Sequence, residues 1–285
     1  MAKVDCPLCS RHGKRYAEIE QVTYFECDRC DFIFADPALL QRMDGGEPLC
    51  QYEDEYWKQE LAAARDRSYG SSLARVSEAL HYCTIPVSRF VDIGTGPGYL
   101  LDSLASYLPA SVNKFYGVEK FPPPPEYRSA HANYVVSDLK DVDIKFECGV
   151  CIEVLEHLTP NMAASLAKAM ARVSVPGSLY LFNTGLTDYV RKEDPGYLDP
   201  HRRGHITSWS VAAARVVFGK EGFAVHALPG KTWAFIVEML PLPEGANTRI
   251  RDRIWSALSQ NIQILVDPAR GDVMRILGLE SARAY

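Results

Sequence analysis

No stretch of this chain stays apolar for the roughly 18 residues that a membrane-spanning helix needs. The first residues also lack the basic segment and apolar run of a secretory leader, so a cytoplasmic location is expected. Positive charge is not in surplus: 31 Lys and Arg stand against 36 Asp and Glu, a formal net charge of −5. That balance disfavours a nucleic-acid partner held mainly through phosphates. The 285 residues are 47% hydrophobic and 24% charged, enough for one full α/β domain and a smaller unit beside it. Eight cysteines would form a disulfide framework only in a secreted protein, and their spacing points elsewhere.

Cys6, Cys9, Cys27 and Cys30 form two C-x2-C knuckles separated by 17 residues. Two such knuckles bring four thiolates to one tetrahedral Zn²⁺, a closed set with no open coordination position, so the expected role is folding rather than catalysis. About 40 residues bury little core alone, and a metal supplies the missing stability. TYFECDRC alternates as a ribbon strand should. Cys148 and Cys151 repeat the C-x2-C spacing inside the apolar run KFECGVCIEV. Side chains three apart on a strand point to opposite faces, so this pair is read, with Cys83, as buried packing.

RFVDIGTGPGYLLDSLASYL begins as a β-rich run, turns on Gly94, Gly96 and Gly98, and continues with helical spacing at Leu100, Leu101, Leu104 and Leu108. Glycines let the backbone approach a ligand, and the following helix offers unpaired N–H groups. That much fits a dinucleotide site as well. FYGVEK is a short strand ending at Glu119, 21 residues after Gly98, where a carboxylate can take both hydroxyls of a ribose. NYVVSDLKDV and ECGVCIEVLEHL supply two more strands, and SLYLFNTG a fifth after the helix NMAASLAKAMARV.

With VDIGTGPG, GVEK, VSDL and EVLEHL in this order, residues 70–240 resemble the class I S-adenosylmethionine-dependent methyltransferases. The resemblance implies an α/β fold: a Rossmann-like sheet of seven mostly parallel strands, one antiparallel, closed by a hairpin at HALPGKTWAFIVEML. It implies that Asp92, Gly94, Thr95, Gly96 and Gly98 border the amino-acid half of S-adenosylmethionine. Glu119 would hold the ribose, Asp138 and Leu139 would meet the adenine, and Glu153 would complete the cofactor wall. FPPPPEY departs from the pattern, since successive prolines favour an extended segment where a helix would begin. The expected division is a zinc ribbon at 1–40, a linker and cofactor-lid helix at 41–69, the methyltransferase domain at 70–240, and a helical extension at 241–285.

Ligands in such folds gather beyond the carboxyl ends of the strands. Three segments should meet there: CQYEDEYW with its helix, CIEVLEHL, and TGLTDYVRKEDPGYLDPHRRGHITSW, read as some two dozen residues of loop. Long loops in compact domains are usually functional. Tyr56, Trp57, Tyr189, Arg191, His201 and Arg203 are therefore candidate acceptor ligands. The ribbon, Y-E-D-E-Y-W, EVLEHL and a late G-H-I-T-S-W together are similar to methyltransferases of sugar and polysaccharide biosynthesis, which implies a carbohydrate, glycan or sugar-nucleotide acceptor.

An acceptor hydroxyl must lose its proton, and histidine has a suitable ordinary pKa. The catalytic candidates are His157, His205 and Glu156. Glu153, Glu156 and His157 stand at i, i+3 and i+4 and so share a face on a turn; with His205 they offer a divalent-metal set. Similar residues serve that purpose in enzymes that methylate the terminal ribose of small RNAs, and this is the second function considered. A third is a non-catalytic zinc-ribbon binding module. Past residue 245, Ile250, Ile254, Leu258, Ile262 and Leu265 recur at helical spacing. They predict a helix, then a break at DPARGD before a second short apolar segment, and this tail packs on its own chain, on a second copy, or joins a further domain.

Overall fold

The computed structural model describes residues 4–47 and 54–283, with side chains for all of these except 54–60. The chain starts with a ribbon: β1 (Val4–Asp5), β2 (His12–Ile19), β3 (Val22–Cys27) and β4 (Phe32–Ala35) pair antiparallel in sequence order. The helices α1 (Pro37–Asp44), α2 (Asp54–Ser68) and α3 (Ser71–Tyr82) lead to the central sheet. Asp36 caps α1 by accepting from the Ala38 N–H at 2.8 Å, with proline in the first turn where its missing N–H costs nothing.

The central unit alternates strand and helix: β5 (Phe90–Ile93), α4 (Tyr99–Tyr107), β6 (Phe115–Glu119), β7 (Tyr134–Val136), β8 (Phe146–Ile152), α5 (Pro160–Val173) and β9 (Ser174–Asn183). α6 (Thr187–Lys192), β10 (Thr207–Ser208) and α7 (Val211–Phe218) follow, then the hairpin β11 (Phe223–Ala227) and β12 (Ala234–Met239). Among the described residues the order is β11-β12-β9-β8-β5-β6-β7, a sheet of seven. β12 runs antiparallel to both its neighbours, and the remaining pairs are parallel. The α/β architecture expected from the motifs is therefore present.

The central strands are buried on both faces, as parallel sheets require. Val91, Val150, Leu181, Phe182 and Ile236 are within 1% of full burial. Cys148 and Cys151 lie on β8, both buried, as packing residues should. The proline segment after Glu119 forms only a short 3-10 turn at Pro125–Tyr127, because prolines give no N–H to close an α-helix.

One expectation needs correction. The insertion after β9 is not featureless loop, since it contains α6 and β10. β10 extends the ribbon sheet by pairing Thr207 with Phe34 and Ser208 with Ile33, so ribbon and central unit share strands. The break expected at DPARGD in the tail is present, between two helices. The tail forms a 3-10 segment at Ile250–Trp255, then α8 (Ser259–Ile264) and α9 (Val273–Arg283). α9 packs on α3 of the same chain. Polar anchors rather than periodicity direct it: the Asn261 carboxamide binds the N–H of Val87 and the carbonyls of Cys83 and Ile85 at 2.9–3.2 Å. Among the described residues no helix is long and apolar enough to cross a membrane.

Arg253 is 2% exposed and gives Glu238, fully buried on β12, two bonds of 2.7 and 2.9 Å. Removing one partner of a buried ion pair strands the other. Arg253→Ala should therefore cost about 3 kcal/mol of unfolding free energy by urea titration; a loss under about 1 kcal/mol would mean the tail is not fastened through this pair.

Candidate active site

A cavity of about 650 Å³ opens beyond the carboxyl ends of β5, β6 and β8, a size typical of small-molecule sites. Its wall is assembled from four places: Leu61, Ala64, Arg67, Ser68 and Ser72 from α2 and α3; Asp92, Gly94 to Pro97 and Leu100; Glu119 with Phe121 and Pro122; and Ile152, Glu153, Val154, His157 and Leu158. The first group was not foreseen by residue, though the three- and four-residue spacing of Leu61, Ala64 and Ser68 in ELAAARDRSYG could have marked a face. Tyr56 and Trp57 fall on α2, but their side chains lie outside the described residues.

The turn after β5 is built for close approach. Gly94 has φ +73°, and a Cβ there would stand 2.5 Å from the Val154 side chain, so this position excludes larger residues. Asp92 is buried and accepts from the Thr95 hydroxyl at 2.7 Å; burial pushes its carboxyl up to about 7. Glu119 joins β6 to the turn: its carboxylate accepts from the Gly96 N–H at 2.7 Å and the Phe121 N–H at 2.8 Å. Burial raises its pKa as well, against those bonds. A carboxylate has about four lone-pair sites, so acceptor capacity remains for hydroxyls. Asp92, Gly94, Thr95, Gly96 and Glu119 all line the cavity, while Gly98 caps α4 behind it. Asp138 and Leu139 are not among its lining residues. Asp138 instead pairs with Lys120 at 2.8 Å and caps a 3-10 turn through the Lys140 N–H.

The opposite wall is the end of β8. Glu153 is a non-glycine residue at φ +53°, a conformation held only when the surroundings impose it. The Asn183 amide binds its Oε1 at 2.9 Å. Glu156 is fully buried and accepts from the Tyr197 hydroxyl at 2.9 Å, leaving its Oε2 without a hydrogen-bond partner. Burial, then repulsion from Glu156, pushes Glu153 up to about 8, and burial raises Glu156 too. Two crowded buried carboxyls cannot both ionise readily, so the pair holds a proton near neutral pH.

Of the catalytic candidates only His157 lies on the cavity wall. The Gly204 carbonyl stands 3.2 Å from its Nδ1. A carbonyl only accepts, so Nδ1 carries the hydrogen and Nε2 is the basic nitrogen. His205 is 5% exposed, fixed by the Tyr197 carbonyl at 2.7 Å from its Nδ1. Burial and the neighbouring His157 push its pKa down to about 3, so the charged form is disfavoured. Glu156 is likewise buried and not among the lining residues.

The remaining loop candidates are placed elsewhere. Tyr189, Arg191, His201 and Arg203 do not line the cavity. Arg191 binds Asp31 at 2.7 Å and Glu26 at 3.1 Å on the ribbon. His201 Nε2 meets the Glu20 carbonyl at 3.1 Å, Arg203 faces Asp194 at 3.7 Å, and Tyr189 packs edge-on against Tyr197. Charge and aromaticity on this loop serve its docking.

On the ribbon, Cys6 and Cys30 sulfurs are 3.6 Å apart, Cys9 and Cys27 3.5 Å, and Cys9 and Cys30 3.8 Å. Four sulfurs around one ion at about 2.3 Å would be about 3.8 Å apart on each tetrahedral edge. The site's dimensions thus suit one tetrahedral ion. The Cys30 thiol beside Cys6 lowers the Cys6 pKa to about 5.

A family model described as a methyltransferase domain matches residues 58–228, well over half of the chain. No curated protein matches the chain by sequence. Among solved structures, the sugar N-methyltransferase KedS8 from a Streptoalloteichus species is 14% identical, with 65% of this chain and 93% of that one covered and a TM-score of 0.48. Human N-acetylserotonin methyltransferase is 14% identical over 68% of this chain and 60% of its own, with a TM-score of 0.47. CalS10, an amino pentose methyltransferase from Micromonospora echinaspora, is 14% identical over 67% and 98%, with a TM-score of 0.46. Likenesses this distant say nothing of the acceptor.

Glu153 gives the site a pH signature. Its pKa rises on folding from 4.5 to about 8, so its contribution to stability is full below 4.5 and is lost as pH rises toward 8. Glu153→Gln should flatten the decline in unfolding free energy between pH 5 and pH 8, read from denaturant titrations. An unchanged slope in the variant would show that this carboxyl is not the group responsible.

Proposed function

The chain belongs to the methyltransferase-domain family as an S-adenosylmethionine-dependent enzyme, and on that premise we propose that it methylates a hydroxyl of a carbohydrate, glycan or sugar-nucleotide. The observation that carries this reading is the division of one cavity into two unlike walls. The glycine turn, Asp92 and Glu119 suit a nucleoside with a charged amino-acid arm. Glu153, His157, Arg67, Ser68 and Ser72 offer the fixed polar groups that a polyhydroxylated ring needs. The combined pattern of ribbon, EVLEHL and G-H-I-T-S-W supports the same acceptor class.

S-adenosylmethionine supplies, when bound, a methyl on a positively charged sulfur. Everything else falls to the chain. Glu119 accepts the ribose hydroxyls, and Gly96, where a Cβ would meet nothing within 4 Å, leaves room beside the turn. Phe121 and Pro122 continue the wall past Glu119, in place of the contacts assigned to Asp138 and Leu139. His157 takes the proton of the attacking hydroxyl at Nε2, while Gly204 keeps its other nitrogen protonated. Glu153, half of a proton-sharing pair, bonds a neighbouring acceptor group and fixes the ring. The four-cysteine site is assigned Zn²⁺ with a folding role, because all four ligands are thiolates and none is left open.

A second reading rests on a separate observation. Ligand atoms of Glu156, His157 and His205 lie within 4.8 Å of one another, and Glu156 Oε2 has no hydrogen-bond partner. A divalent cation there would make transfer metal-dependent, as in the ribose methyltransferases considered from the sequence. The negative net charge does not favour RNA. A binding module without catalysis is disfavoured, since the turn, Glu119 and a histidine converge on one cavity.

A screen of sugar nucleotides and glycans for S-adenosylhomocysteine release tests the proposal. With the acceptor that emerges, His157→Ala should lower kcat by about 10²–10⁴-fold with little change in KM. Loss of all activity with EDTA mild enough to leave the cysteine-bound metal in place would favour the second reading, and turnover only with RNA would overturn the first.

A further inference from the structure

The ribbon is joined to the wall that carries His157. Ribbon strand β4 pairs with β10, and the Ala35 N–H reaches the Ile206 carbonyl at 2.9 Å. The buried Tyr24 hydroxyl binds the His205 carbonyl at 2.8 Å. The Ser210 hydroxyl binds the carbonyl of Cys30, itself one of the four cysteines, at 2.7 Å. Phe32 packs on Trp209 with ring centroids 4.7 Å apart. Asp31, next to Cys30, takes bonds of 2.7 Å from Thr187 and Arg191.

The same short segment continues to the end of β8. Trp209 Nε1 donates to the Leu155 carbonyl at 3.1 Å, and the Ile206 N–H to the Glu156 carbonyl at 3.0 Å. The Thr207 hydroxyl lies 3.3 Å from the carbonyls of Leu155, Glu156 and Leu158. The carbonyls of Leu155 and Glu156 belong to the 3-10 turn Leu155–His157 and that of Leu158 follows it, and Gly204 on the incoming segment meets the His157 ring. Glu119 sits on β6, separated from β8 by β5.

We propose that the four-cysteine ribbon is the positioning element for the acceptor wall: a metal-filled ribbon holds residues 204–209 against 155–158 and so fixes His157, while the cofactor wall forms without it. Cys27 ends β3 and Cys30 stands two residues before β4, so an ion that closes the cysteine site ties together the ends of the two strands that carry Tyr24 and Phe32. Loss of the metal, or oxidation of its thiols, would loosen acceptor positioning and leave cofactor binding intact. This inference rests on the assignment of His157 to the acceptor side, but its test needs no acceptor and so fails or succeeds separately.

Amide hydrogen exchange of the zinc-loaded chain is compared with that of Cys27→Ser/Cys30→Ser, with S-adenosylhomocysteine titrated into both by calorimetry. Exchange in 155–158 and 204–209 should rise at least about 10-fold in the variant, with Trp209 emission shifted to the red, while S-adenosylhomocysteine affinity changes by less than about 3-fold. Unchanged exchange in those segments overturns the proposal, and so does a parallel loss of cofactor affinity, which would make the ribbon a general folding element. Tyr24→Phe keeps every cysteine and removes only the bond to His205. It should raise exchange in 204–209 by about 3-fold, and no change there would contradict the proposed route.

Discussion

The bond set of Glu119 is the constraint on which the cavity depends. Its carboxylate takes one N–H from the glycine turn and one from the start of the proline segment, so a single side chain fixes the spacing of β5 and β6 where they meet the ligand. It is 8% exposed, which penalises its charge, and the two N–H bonds offset that penalty. The Tyr134 hydroxyl, 2.7 Å from the Gly96 carbonyl, holds the turn from the β7 side. A turn held at both ends is pre-organised for its ligand, and pre-organisation is most of what a methyl-transfer enzyme contributes.

Around that joint the molecule concentrates buried acids. Asp92, Glu119, Glu153 and Glu156 are all raised in pKa by desolvation. Such clustering is destabilising to the empty protein and is characteristic of sites that receive a ligand. The strained backbone at Glu153 has the same character. Arg67 on α2 brings a positive charge that lowers the Glu153 pKa against these effects, which places α2 electrically as well as sterically beside the β8 wall.

The sheet and the glycine turn were legible in the sequence because their signals are local. A strand, a turn of three glycines and a helix occupy consecutive residues, and the carboxylate ending the next strand sits at a fixed interval. The cysteine knuckles were legible for the same reason. The loop after β9 was not, because what its side chains touch is decided at long range: Arg191 meets Asp31 and Glu26, and His201 meets Glu20, partners on a ribbon folded from the other end of the chain. His205 looked reactive by type, but its burial beside His157, which disfavours its charged form, could not be read from the sequence. The tail's break at DPARGD was legible, but its anchors were not, because Asn261 and Arg253 bond to distant backbone and to Glu238.

The central claim is that this cavity binds the nucleoside and amino-acid parts of S-adenosylmethionine through the glycine turn and Glu119. Calorimetric titration of S-adenosylhomocysteine into the wild-type chain and into Glu119→Ala tests it most directly. The account predicts one site per chain in the wild type and an affinity at least about 30-fold weaker in the variant, about 2 kcal/mol for lost charge-assisted bonds. No binding to the wild-type chain, or equal binding to both, would contradict it.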